Sequence, residues 1–189
     1  MDLTILEKKT KGRMPGKPDR SILCLTEKDS GVQRLLENNF LSIMRERKMD
    51  PYIHDISSWI YRANMENIPE KAVVEAKRCL LDVIGVGLAG SGQEAASLIR
   101  QLVVDNYGTG PCTLLGGGSA AVSPSGAAMA NAAACHVLDF DDTCFDGIAH
   151  GSAVVFPAVM AGAENLQVSG REMLEAFIAG VEAIYRIGR

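Results

Sequence analysis

The chain has 189 residues, 47% of them hydrophobic and 22% charged, a mix that excludes wholesale disorder, a collagen-like repeat and a disulfide-dense miniprotein. Aromatic residues amount to only 5%, so the core has to be assembled from Ala, Val, Leu, Ile and Met, a palette suited to close-packed helices. The net charge of −4 and a pI near 5.4 provide no basic face for a polyanion, so nucleic acid is not an expected partner.

The charge is unevenly placed. Residues 1–50 carry 11 Lys/Arg against 8 Asp/Glu, and residues 51–189 carry 8 against 15. From residue 101 to residue 170 there is no lysine or arginine, yet Asp139, Asp141, Asp142 and Asp146 fall in that stretch. Unpaired buried carboxylates are expensive, so something has to make this cluster tolerable. Five cysteines (Cys24, Cys79, Cys112, Cys135, Cys144) at irregular spacings, with no CxxC pair, signal neither a disulfide framework nor a zinc site. They read as buried thiols in a reducing compartment. No apolar run reaches the length of a membrane span, and no secretory signal opens the chain, so a cytoplasmic location and no membrane partner are expected.

In chain order, residues 1–30 read as a flexible arm containing Pro15, Gly16 and Pro18 among scattered charges. Val32, Leu35, Leu36, Phe40, Ile43 and Met44 predict an amphipathic helix. Residues 1–50 together form a partly disordered extension carrying that one helix. Asp50-Pro51 opens a second helix bearing Ile53, Ile56, Trp59 and Ile60, and Pro69 opens a third that runs to about Ala89. The third contains Gly85, Gly87 and Gly90 in a G-x-G-x-x-G pattern. A dinucleotide fingerprint follows a strand and opens a helix, whereas these glycines close one, so they are read as points of close helix approach.

Glu94 to Tyr107 predicts a fourth helix, and Pro111 to Leu115 a short strand. Gly116-Gly117-Gly118-Ser119 lacks the lysine of a phosphate loop and is read as a turn. The helix from Pro124 to about Leu138 is almost all small residues and is expected to be buried on every side. Gly151 to Leu166 predicts another apolar helix, with Pro157 blurring its start. Ser169 and Glu172 predict a capping box, followed by a stripe from Met173 to Tyr185. The expected fold class is all-α, a helical bundle, and the domain reads as unfinished at Arg189.

The chemistry sits between the two most apolar helices, in the stretch from His136 to Ser152. It holds two of the three histidines, the four aspartates named above and Thr143. A histidine beside a carboxylate can be held in one tautomer for general acid–base work. Any one of these residues alone could be a helix cap or a packed side chain; the cluster as a unit points to a site. Two motif readings fit poorly. Asp139-x-Asp141-x-Thr143 matches the nucleophile motif of haloacid-dehalogenase-like phosphatases, but no strand precedes it. Asp141-Asp142-x-x-x-Asp146 comes near the diphosphate motif of isoprenoid synthases, but its spacing is off by one and no basic residue is close.

A third reading is a resemblance. Leu138-Asp139-Phe140-Asp141-Asp142-Thr143, followed after six residues by His150 and the Val154–Pro157 segment, resembles the signature of the MmgE/PrpD family. That family includes 2-methylcitrate dehydratase, cis-aconitate decarboxylase and iminodisuccinate epimerase. Ile68-Pro69, Leu81-Asp82-Val83-Ile84-Gly85, Ala130-Asn131-Ala132-Ala133 and the closing Gly180-Val181-Glu182 with Arg186-Ile187-Gly188 extend the likeness from about Ile53 to Arg189. The resemblance implies the N-terminal part of the family's helical domain, without the smaller lid domain. Residues 51–189 are thus expected to be an incomplete domain of this type.

The implied activity is a lyase or isomerase, foremost a hydro-lyase of the 2-methylcitrate dehydratase kind, that needs no cofactor and no metal. It moves a proton alpha to a carboxylate of a small di- or tricarboxylic acid. The resemblance assigns His150 as the general acid or base, Asp139 as the orienting group, and Thr143 as a hydrogen-bond donor. Asp142 and Ser152 are assigned to substrate binding, with Asp142 equally a cap or scaffold; His136 is assigned to packing. Phe145-Asp146-Gly147 and Gly151 depart from the Pro-containing turn that is usual there. A homodimer is implied, and the cations that a polycarboxylate needs are expected from a part of the family's length not present in this chain. The competing reading is a non-catalytic helical module that associates through its apolar helices.

Overall fold

A computed structural model describes residues 51–145 and 148–188. Helix α1 (Pro51–Arg62) belongs to one compact unit, and residues 64–188 to another. The amphipathic helix expected over residues 32–44, and the arm before it, lie outside the described residues. The second unit contains α2 (Glu70–Gly90), α3 (Glu94–Asn106), β1 (Thr109–Thr113), β2 (Ala121–Val122), α4 (Pro124–His136), α5 (Gly151–Leu166) and α6 (Gly170–Ile187). The expected helical architecture is observed. A small antiparallel β1–β2 ribbon interrupts it, of which the sequence pattern showed only the first strand.

The helix ends follow local chemistry. Pro69 caps α2 in extended conformation, where its missing N–H costs nothing. Ser123 accepts from the Gly126 N–H at the start of α4, and Ser169 with Glu172 forms the full capping box on α6. Helix α5 begins at Gly151, six residues before Pro157, so the proline lies within its second turn.

Helix α4 is the centre of the unit, packed against α2, α3 and α5, while α5 also packs on α6. Its Ala-rich face is what permits this. A Cβ on Gly90 would overlap the Ala134 carbonyl, and one on Gly87 would press on Cys135 and Leu115. Two of the three glycines of the apparent nucleotide motif therefore let α2 approach α4, and no phosphate loop exists there. The third, Gly85, has nothing near it. On α6, Gly180 makes room for Val155 in the same way. The expectation that α4 is buried on every side fails at Ser125, Met129 and His136, which are exposed. For His136 the exposure is useful, because it brings an imidazole to the surface at the helix end.

Two apolar clusters hold these elements. One joins Val83, Phe156, Leu174, Phe177, Ile178 and Val181; the other joins Val103, Cys112, Leu114, Val122, Ala127 and Ala161. Each large buried side chain contributes about 1.5–3 kcal/mol relative to exposure. Buried Asn131 bridges α4 to the ribbon: its amide donates to the Thr113 carbonyl at 2.9 Å and accepts from the Leu115 N–H at 2.8 Å. Cys79, Cys112, Cys135 and Cys144 are free thiols. Burial pushes the Cys135 thiol up to about 12, and the buried Cys112 is also raised, which makes both poor nucleophiles.

Candidate active site

The segment between α4 and α5 is pinned at both ends and in the middle. At its start the Asp139 N–H donates to the His136 carbonyl at 2.9 Å, and Asp139 adopts the left-handed conformation at φ +55°. Aspartate tolerates that region better than most residues, but the conformation still stores strain. In the middle, Cys144 and Ala149 exchange backbone hydrogen bonds at 2.9 and 3.2 Å, closing a narrow loop. This closure brings Thr143 beside His150, with Thr143 Oγ1 3.5 Å from His150 Nδ1. Asp146 lies outside the described residues.

Asp142 provides the anchor. Its Oδ1 accepts the Ser152 N–H at 3.0 Å in the first turn of α5, and its Oδ2 accepts the Tyr185 hydroxyl at 2.9 Å. The carboxylate thus caps a helix N-terminus, where negative charge is favoured, and ties it to α6. Tyr185 is buried, and burial together with the Asp142 carboxylate holds its phenol well above the ordinary value. Its ring also explains Gly151, since a Cβ there would lie 2.7 Å from the Tyr185 hydroxyl. Ser152 is buried, and its Oγ has no partner among the described residues.

Asp141, one residue earlier, meets different partners. Its side chain is 0% exposed, yet it stands against two imidazoles. His136 Nδ1 lies 3.1 Å from both carboxylate oxygens, and His150 Nδ1 lies 3.1 Å from Oδ2. The two rings meet edge to face with centroids 4.8 Å apart. His150 Nε2 is 4.0 Å from Asp139 Oδ1, and the Asp139 side chain is 79% exposed. The ion-pair partners found for Asp139 and Asp141 are these histidines.

Tautomer follows from this geometry. An ionised carboxylate only accepts, so His136 donates from Nδ1; a lone pair on His150 Nδ1 would face the lone pairs of Asp141, so the proton belongs there too. On each ring Nε2 is then the nitrogen not paired with Asp141. This is the orienting arrangement seen wherever a carboxylate holds a histidine base.

The structure therefore gathers His150, Asp139 and Thr143 at one place. Asp142 and Ser152 lie next to it, but the two Asp142 oxygens are already engaged within the fold. Asp141 and His136 were not assigned catalytic roles from the sequence. Their signal was the spacing itself, with His136 ending a helix five residues before a buried carboxylate. An apolar cleft of about 500 Å³, lined by Ile84, Leu115, Phe156, Met160 and Met173 among others, shares no residue with this cluster.

Comparison with known proteins agrees with the motif. Residues 54–189 match the model of the MmgE/PrpD N-terminal domain. The chain belongs to the MmgE/PrpD family. It is similar to cis-aconitate decarboxylase of Mus musculus and of Homo sapiens, each 30% identical over 132 residues, which is 68% of this chain and 27% of theirs. It is also similar to cis-aconitate decarboxylase-like protein oryM of Aspergillus oryzae, 28% identical over 141 residues, which is 71% of this chain and 29% of that protein. The chain thus spans about a quarter of the length of the curated relatives it matches. No solved structure gives a significant match. No helix among the described residues is long and apolar enough to cross a membrane.

Proposed function

We propose that residues 64–188 supply one wall of a lyase site that moves a proton alpha to a carboxylate of a small di- or tricarboxylic acid, without a cofactor. The observation that carries this reading is the buried Asp141 between two imidazoles, which orients His150 with Nε2 as the proton-handling atom. In a decarboxylation, the bond to the departing carboxylate breaks, carbon dioxide leaves, and His150 as imidazolium delivers a proton to the carbanion. In a dehydration, His150 Nε2 takes the alpha proton and hydroxide leaves from the neighbouring carbon. Thr143 is placed to donate to a substrate carboxylate or hydroxyl, and exposed Asp139 to steady the charged imidazole. The named relatives favour cis-aconitate as the first substrate to try, ahead of 2-methylcitrate and iminodisuccinate.

A substrate of this class carries two or three negative charges, and residues 101–170 hold no lysine or arginine. Its counter-cations therefore come from outside this segment, supplied by further parts of the fold or by a partner chain such as a second copy in a homodimer. A second reading, a helical module that acts by association rather than catalysis, is favoured by the exposed Leu81 and Leu88 of α2 and Leu98 of α3.

The test is proton NMR of the purified chain in D₂O with each acid, in the presence of EDTA. Turnover or deuterium exchange that disappears in His150→Gln, with the fold retained to within about 1 kcal/mol, supports the lyase reading. Exchange that persists in that variant overturns the role of His150. A folded chain that remains silent with all three acids, and stays silent when a polypeptide bearing the rest of the family's length is added, favours the second reading.

A further inference from the structure

We propose that His136, Asp141 and His150, completed by Asp139, form a binding site for a divalent transition-metal ion of the zinc type. This goes beyond the lyase reading and departs from the sequence-based expectation of no metal. That expectation followed from the absence of any Cys pair at ligand spacing. Here the ligands come from a helix end, a left-handed turn and the cap of the next helix, a combination that no linear motif records.

Three observations carry the proposal. First, each of the four side chains offers one ligand atom, and the four atoms lie within 4.8 Å of one another. A tetrahedral zinc shell with bonds of roughly 2.0–2.2 Å separates neighbouring ligand atoms by about 3.3–3.6 Å. The two His–Asp141 separations of 3.1 Å already approach that spacing. Asp139 Oδ1 stands 4.0 Å from His150 Nε2, and its side chain is 79% exposed. Second, two imidazoles with two carboxylates suit zinc, copper or nickel rather than magnesium or calcium, which take all-oxygen shells. Third, the Asp141 carboxylate is fully buried, and residues 101–170 hold no lysine or arginine to pair with it.

The experiment titrates the purified chain with ZnCl₂ by isothermal calorimetry, with Co²⁺ as a spectroscopic probe. One ion per chain is expected, saturating at micromolar zinc, with the visible absorption of tetrahedral cobalt. His136→Asn and His150→Asn each weaken binding by about tenfold or more. The third histidine, His54, pairs with Asp55 outside the cluster, and His54→Asn leaves binding unchanged. Circular dichroism checks the fold of each variant. Should His150→Asn unfold, His136→Asn and Asp139→Asn, both at exposed side chains, decide the matter. A folded chain without saturable binding, or binding that survives loss of both cluster histidines, overturns the proposal. Because the readout needs no substrate, it stands or falls separately from the lyase reading.

Discussion

Asp141 and Asp142 are neighbours in the chain and opposites in the fold. Asp142 meets two fixed donors, a helix N–H and a tyrosine hydroxyl, so its charge is spent on holding α5 and α6 together. Asp141, the more deeply buried of the two, meets two imidazole rings. What separates the anchoring carboxylate from the one proposed for chemistry is above all its partners, since the sequence context is nearly identical. Donors that keep their proton at neutral pH make an anchor; imidazole partners make a candidate site.

Substitutions sharpen this contrast. Asp142→Ala has the largest expected effect on stability, because it leaves the Tyr185 hydroxyl buried without an acceptor and uncaps α5. A loss of roughly 2–3 kcal/mol in urea unfolding is expected. Asp141→Asn should cost less than that in the same measurement while changing the ¹⁵N imidazole signals of both His136 and His150. If instead Asp142→Ala alters the imidazole signals and Asp141→Asn does not, the division of labour is the reverse of the one proposed.

Gly151→Ala drives a methyl into the Tyr185 ring and should cost about 1–3 kcal/mol. Combining it with Tyr185→Phe, which removes the hydroxyl, should recover part of the loss.

Tyr185 also sets an alkaline limit. Its folded pKa lies above the unfolded value, so the stability it contributes is fully present below about pH 10 and is lost as the pH rises beyond that. Denaturant melts across that range should show the decline in the wild type and a shallower one in Tyr185→Phe. The smallest effect belongs to the capping box. The Ser169 backbone and hydroxyl donate to the exposed Glu172 carboxylate and hold it below its ordinary range. Its stabilising contribution is present above the unfolded carboxylate value and fades as the pH falls through the folded one. Glu172→Gln should lower the melting temperature slightly at neutral pH and remove that acid limb.

The helices were legible because their signals are local. Caps such as Ser123 and Ser169, breaks such as Pro69 and the stripe on α6 specify elements before any packing exists, and the ends fell within a residue or two of expectation. Strand β2 was not legible, since two residues carry no periodicity and only pairing with β1 defines them. The family signature placed His150, Asp139 and Thr143 in one segment, and the fold brought them together. The pairing of both imidazoles with Asp141 was not readable, because His136 belongs to a helix end and His150 to the start of the next.

The sequence by itself therefore determined the helical architecture, the family and the segment proposed to carry the chemistry, for helix propensity, capping and motif spacing act over a few residues. Only the tertiary structure decided which of two adjacent aspartates serves as anchor and which faces the histidines. That choice depends on Tyr185, which α6 delivers from 43 residues away, and on the left-handed turn at Asp139.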